Sequence, residues 1–262
     1  MSEPIVEFSH VDSNIQNKKI LSDLSFCIRR GEKWAVVGPN GSGKTTLLRI
    51  VNGYLRPSCG SASVLGDRFG DGSDLGEMRK KTAFVRSYLD NLLESQDNVL
   101  DIVVSGKYGA TRLWQVPPYE IVERARKLMR QLGCGKFENR SLSELSQGER
   151  QKILIARSLM SDSMLLTFDE PCASLDLGTK ESFLRGVETI ARKRKELAMI
   201  YVTHRIDEIP SCFTHALLLN KGRIVGIGRI DQTLNGSSLS RCFGVKVSVK
   251  RWRRRLYPVV LD

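Results

Sequence analysis

A chain of 262 residues is long enough for one domain with a substantial core, or for a core carrying an inserted subdomain, and too long for a minimal module. Its hydrophobic residues, 41% of the total, fall in short runs broken by charge, so no stretch approaches the roughly 18–20 apolar residues of a membrane helix, and the Met-Ser-Glu-Pro start lacks the basic, apolar and small-residue succession of a secretion leader. The formal net charge of +12 points to an anionic partner, yet residues 241–262 hold seven Lys/Arg against one acid, which is half of that total, so the rest of the chain is only mildly basic.

In chain order, β-rich segments at residues 5–11, 24–28 and 33–37 alternate with turns, the last running into a glycine-rich loop. Residues 45–53 read as a helix opened by that loop and closed by Gly53. Short strands at 61–65 and 82–86 are separated by a polar Gly/Asp stretch at 66–76 that reads as a loop. From Tyr88 to about Met160 the pattern turns helical. One helix covers 98–105, and another covers 119–132, where Ile121, Val122, Ala125, Leu128, Met129 and Leu132 fall at helical spacing before the stop signal Gly133. Strands return at 164–168, 197–203, 216–220 and 223–227, with a helix over about 177–195 between the first two, an alternation that implies a largely parallel sheet with flanking helices. In the tail, Val245, Val247 and Val249 alternate with Lys246, Ser248 and Lys250, the period of a half-buried strand.

The reading is one α/β domain over residues 1–262: a core formed by 1–87 and 161–240, an inserted helical subdomain over 88–160, and a basic tail over 241–262. The cysteines Cys27, Cys59, Cys134, Cys172, Cys212 and Cys242 lie far apart, without a Cys-x-x-Cys pair or a Cys/His cluster, and are expected to be reduced, small buried hydrophobes.

Three segments carry chemistry. Gly38, Pro39, Asn40, Gly41, Ser42, Gly43, Lys44 and Thr45 complete a phosphate-loop pattern between a predicted strand and a predicted helix, with Thr46 following inside the helix. Glycines there let the backbone curl so that successive N–H groups and the helix start point at phosphate oxygens. Lys44 then reaches the β and γ phosphates, and the Thr45 hydroxyl ligates Mg²⁺. The apolar strand at 164–168 ends in Asp169-Glu170, and paired acids at a buried strand end need a partner. A metal ion held by Asp169 and an attacking water polarised by Glu170 supply one. Finally, Ser146, Gln147, Gly148 and Glu149 open a strong helix, with Ser146 and Glu149 spaced as a capping box.

Together with Ala173-Ser174-Leu175-Asp176 and His204, these segments resemble the ordered motif set of the ABC (ATP-binding cassette) ATPases over roughly residues 3–230. The resemblance implies a single ABC domain: a P-loop NTPase core with a mostly parallel sheet, an antiparallel β subdomain and an inserted helical subdomain. It implies ATP and Mg²⁺ as cofactors, with Glu170, His204 and Lys44 catalytic. It also implies two cassettes, a homodimer or heterodimer, closing head to tail on ATP. Ser146, Gln147, Gly148 and Glu149 would meet the partner's nucleotide, Asp176 would contact the opposite subunit, and His204 would link the γ-phosphate to Glu170. Such a cassette powers a separate integral membrane subunit and sits in the cytoplasm, peripheral to the membrane on its cytoplasmic face.

Some positions depart from the family pattern. Glu149 stands where Gln is usual, Ser87 where a glutamine senses Mg²⁺ and couples to the membrane partner, and Ile15 where an aromatic ring stacks on adenine. Residues 99–108 are similar to the helical subdomain of metal-chelate and molybdate uptake ATPases. The alternative is a soluble ABC ATPase acting on a nucleic-acid or ribosomal complex through Arg251, Arg253, Arg254 and Arg255 around Trp252. The single cassette and the absence of a long coiled-coil insertion argue against that alternative, so a nucleic-acid partner is not expected.

Overall fold

In the computed structural model, which describes residues 3–70, 74–86, 96–110, 112–173 and 175–261, β1 (Pro4–Ile15) and β2 (Lys18–Arg29) form an antiparallel hairpin. Its two-residue turn puts Gln16 and Asn17 at φ of 48° and 60°, the doubly left-handed turn that matches strand twist. The chain continues through β3 (Lys33–Val37), α1 (Lys44–Val51), β4 (Cys59–Val64), β5 (Asp67–Arg68), α2 (Leu75–Lys81) and β6 (Thr82–Arg86). Helices α3 (Val99–Ser105), α4 (Tyr119–Gln131) and α5 (Gln147–Met160) follow. The remaining elements are β7 (Leu165–Asp169), α6 (Leu177–Lys193), β8 (Ala198–Thr203), β9 (His215–Asn220), β10 (Arg223–Arg229), α7 (Ile230–Thr233), α8 (Gly236–Phe243), β11 (Val247–Trp252) and β12 (Arg255–Val260).

The central sheet runs β10-β9-β3-β8-β7-β6 and is parallel except for β10 on β9. Strands β3, β7, β8 and β9 are buried on both faces, which is why they read as nearly continuous apolar runs, whereas the edge strand β10 alternates exposed and half-buried residues. Alternation still sorts the side chains: Trp34, Val36, Ile200 and Val202 join the core shared with α1 and the antiparallel sheet β2-β1-β4-β5, whereas Ala35, Val37, Met199 and Tyr201 join the core beneath α5 and α6. A third core holds the helical subdomain together, built on Ile102, Val103, Ala125 and Met129. Helix α5 serves two of these cores, giving Ile155 and Leu159 to the sheet side and Ile153, Leu154, Ala156 and Met160 to the helical side. That shared burial ties the carboxyl-terminal half of α5 to both bodies.

The sequence reading needs correcting in three places. The stretch expected to be a loop at 66–76 contains β5 and runs into α2, which Asp74 caps by accepting from Gly76 N–H (2.7 Å) and Glu77 N–H (3.3 Å). Gly76 in the first turn disguises this helix, because glycine is a poor helix former. The tail is a hairpin instead of a lone strand: Val247 is buried and Val249 half-buried, but Val245 lies outside the strand and is exposed, and α8 precedes the pair. Arg253 and Arg254 form its turn, both in left-handed backbone. All six cysteines are free, but Cys59 is exposed and Cys27 and Cys212 are only partly covered, so the expectation of burial holds for Cys134, Cys172 and Cys242.

Candidate functional site

The phosphate loop joins β3 to α1 at the carboxyl end of the central sheet, the end where parallel sheets take ligands. Gly41 and Gly43 adopt φ of 76° and 104°, backbone that side chains other than glycine avoid. Gly38 is needed for another reason: a Cβ there would run into the carbonyl oxygen of Leu219 on β9. No side chain caps α1 at Gly43, and its first turn holds no acid, so its positive end is left to a ligand. The Ser42 hydroxyl is buried without a hydrogen-bond partner among the described residues, an orphaned donor beside that helix start.

Lys44 is buried and donates to the carbonyl oxygens of Gly38 (2.9 Å) and Pro39 (3.0 Å). Its Nζ also lies 3.4 Å from Glu170 Oε1. Thr45 donates its hydroxyl to Asp169 Oδ1 at 3.3 Å, which brings the first turn of α1 against the end of β7. Glu170 follows at φ 47°, a strained left-handed conformation held by its N–H donating to Val202 O at 3.0 Å. Its second oxygen, Oε2, sits 3.2 Å from His204 Nδ1, close enough for an ion pair but too poorly aligned for a hydrogen bond. The fold thus gathers Lys44, Thr45, Asp169, Glu170 and His204 from three separate segments. Nearby, burial pushes the Cys172 thiol up to about 12, and its Sγ lies 3.3 Å from the Tyr201 hydroxyl, so it stays protonated near neutral pH and has no nucleophilic part to play.

The helix start at Ser146 is built separately. Glu149 Oε2 accepts from the Ser146 N–H (2.9 Å) and hydroxyl (2.8 Å), and these bonds hold the Glu149 carboxyl below its usual range. Ser146 and Gln147 are exposed, while Gly148 is buried against α6, where a Cβ would collide with the methyl of Thr179. Asp176 caps α6 by accepting from Thr179 N–H at 3.0 Å, so the Gly148 contact and the Asp176 cap meet at one residue. Leu177, just past the cap, leaves 72% of its surface exposed. Asn40 and Gly41 are exposed at the loop's rim, Pro39 is half-buried, and Thr46 is buried in α1. Ser87 and Ser174 lie outside the described residues.

Sequence reasoning missed two features of this region. The Gly148–Thr179 contact carries no sequence signal, because it joins residues thirty-one apart across two helices. A set of charges flanks His204, with Lys180 and Glu208 buried, Asp207 partly buried and Arg205 exposed, and its only trace was charged residues within an otherwise apolar stretch.

No helix among the described residues is long and apolar enough to cross a membrane. Residues 21–173, more than half of the chain, match the family model described as ABC transporter. The chain is 37% identical over 246 residues to the ABC transporter ATP-binding protein YlmA of Bacillus subtilis (strain 168), an alignment covering 94% of this chain and 93% of that one. It is 30% identical over 235 residues to the zinc transport system ATP-binding protein TroB of Treponema pallidum (strain Nichols), covering 89% and 84%. Among solved structures, it matches one described as a metal-chelate type ABC transporter in an inward-facing conformation (TM-score 0.80, 24% identity, 99% and 98% covered). It also matches cbiO1 of Clostridium perfringens, part of the transporter complex cbiONQ (TM-score 0.79, 24% identity, 92% and 94% covered). A phosphate loop facing a carboxylate pair across a parallel sheet, with family-wide similarity over the same residues, has one meaning: this chain belongs to the ABC transporter family, as an ATP-binding ATPase subunit that energises transport.

Proposed function

We propose that this chain is the ATPase subunit of a transporter for a metal ion or metal chelate, working as two cassettes that close head to tail on ATP against a separate membrane-spanning partner. The observation that carries the catalytic part is the cluster in which Glu170 touches both Lys44 (3.4 Å) and His204 (3.2 Å), with Thr45 and Asp169 beside it. Lys44, released from the Gly38 and Pro39 carbonyls, binds the β and γ phosphates, and the N–H groups of residues 43–46 at the start of α1 line the phosphate chain. Glu170 orients a water for in-line attack and takes its proton as the bond to the leaving ADP oxygen breaks, while His204 bridges the γ-phosphate and the Glu170 carboxylate.

The donors also fit Mg²⁺: a hydroxyl and a carboxylate oxygen already converge at Thr45 and Asp169, hard oxygen ligands of the kind this ion takes in phosphate-loop sites. When bound, Mg²⁺ offsets charge on the β and γ phosphate oxygens.

Dimer closure is supported by the exposed start of α5 at Ser146 and by Leu177, an exposed apolar side chain next to Asp176. For the membrane partner we assign the cleft of about 880 Å³ between the core and the helical subdomain, lined by Tyr54, Arg79, Phe84, Lys107, Tyr108 and Arg157. It opens beside β6, the strand that leads to Ser87. The metal assignment rests on the similarity to TroB together with residues 99–108.

The test is expression of the tagged chain in its native host, isolation from membranes, and ATPase assay with and without EDTA. A copurifying membrane-spanning chain and EDTA-sensitive phosphate release are expected. Recovery of RNA or ribosomes in place of that chain, with binding lost when residues 241–262 are deleted, would replace this function with a soluble one.

A further inference from the structure

Outside the nucleotide site, a cluster of charges, buried at Lys180 and Glu208 and reaching solvent at Arg205, lies between α6 and the turn after β8. Lys180, 9% exposed and four residues past the Asp176 cap, donates from Nζ to Asp207 Oδ2 at 3.2 Å. Arg205 donates to the same carboxylate, Nη2 to Oδ2 at 3.2 Å and Nε to Oδ1 at 3.4 Å. Arg205 Nε also stands 3.2 Å from Oε1 of Glu208, whose side chain is 2% exposed. The other Glu208 oxygen accepts from the Thr203 hydroxyl at 3.2 Å, and Arg205 N–H donates back to Thr203 Oγ1 at 3.0 Å. His204 is therefore flanked on both sides by residues tied into one ionic lattice, and that lattice is anchored across the fold on the first turn of α6.

Apolar packing could hold this turn against α6 just as firmly, since burying charges is rarely the stable choice. Charges differ in fixing distance and direction, because a displaced partner leaves a buried ion uncompensated. The lattice joins two segments that each lead to a different part of the site: α6 begins at Asp176, and the turn begins at His204. We propose that Lys180, Asp207 and Arg205 are positioning residues that lock the start of α6 to the His204 loop, so that contact made at Asp176 by the opposite cassette is transmitted to His204 and Glu170. This rests on the roles of Asp176 and His204 given above. It adds a rigid link through which closing one interface sets the catalytic geometry.

The experiment compares wild type, Asp207→Asn, Lys180→Arg, the double replacement Lys180→Met/Asp207→Leu, and His204→Ala, measuring kcat and KM for Mg-ATP, equilibrium ADP affinity and Tm. The double replacement swaps the ion pair for apolar groups of similar volume, so the fold is retained while the tether is lost. Asp207→Asn and the double replacement should lower kcat about tenfold to a hundredfold, the effect of misplacing a catalytic group by about an ångström, while ADP affinity stays within about twofold. Lys180→Arg, which keeps the charge, should retain most of the turnover. Wild-type kcat in either disrupted variant at an unshifted Tm overturns the proposal, as does a loss in Lys180→Arg equal to that of the double replacement. Full turnover in His204→Ala would instead overturn the underlying reading of the site, so the two failures are told apart.

Discussion

Glu170 Oε1 lies 3.4 Å from Lys44 Nζ, so the proposed base and the lysine proposed to bind phosphate neutralise each other in this arrangement. With Lys44 also bonded to two carbonyls of its own loop, a triphosphate must take over these contacts and in doing so frees the carboxylate to turn to water.

Replacing Glu170 by glutamine keeps the shape but removes the proton acceptor. Turnover should fall by about 10²–10⁴, the range of a lost general base, with ATP affinity preserved. Phosphate release and size-exclusion chromatography in ATP check this: the variant should accumulate as a long-lived closed dimer. Full hydrolysis would remove Glu170 from its role.

Gly148→Ala tests the contact between α5 and α6. The added methyl meets the Thr179 side chain, whose β-branched geometry gives it little room to turn aside. A loss of about 1–3 kcal/mol is expected from overpacking. Thr179→Ala in the same chain should recover part of it, and denaturant unfolding of the two single variants and the double one would reveal that coupling. Strict additivity would mean that the helices do not meet there.

The Glu208 carboxyl supplies a pH test. Burial raises it above its ordinary value of 4.5, against the attraction of Arg205 and the Thr203 hydrogen bond. A carboxyl raised in the folded state keeps its proton longer there than in the unfolded chain, so it imposes no penalty below about pH 4.5 and destabilises increasingly as pH climbs through the folded value. Asp207 is held below its ordinary 3.8 by its bonds to Arg205 and Lys180, which outweigh the raising effect of burial, and therefore stays charged across this window. Glu208→Gln does not titrate, so its stability relative to wild type should improve from pH 4.5 towards 7 and stay level below. Urea titrations at several pH values give this difference, and a flat profile contradicts it.

Ile15 closes β1 half-buried, opposite Lys18 across the hairpin turn. Without an aromatic ring at that position, nucleotide affinity should come mainly from phosphate contacts, and ATP and GTP should have similar KM values. Ile15→Tyr should tighten ATP binding about fivefold to a hundredfold, the range of one base–aromatic stack. Fluorescence titration with both nucleotides checks it; an unchanged affinity places the base elsewhere.

The sites that the sequence made legible are those whose physics is local. A glycine loop, the strand before it and the helix after it need only neighbouring residues, as do the Asp169-Glu170 strand end and the Ser146–Glu149 cap. The helix at 75–81 and the one at 236–243 were missed because Gly76, Gly236 and two following serines weaken the helical pattern, and it is tertiary packing that holds these segments in place.

Motif order and the family resemblance it carries were enough to mark this chain as an α/β cassette with an inserted helical body, and to name the residues proposed to meet phosphate. Only the folded chain decided that Lys44, Glu170 and His204 touch, that Gly148 leans on Thr179, and that a four-charge lattice ties His204 to α6. The division follows from distance: hydrogen bonds within a turn or a strand are written in adjacent residues, whereas contacts between segments far apart in the chain exist only once the sheet has set their register.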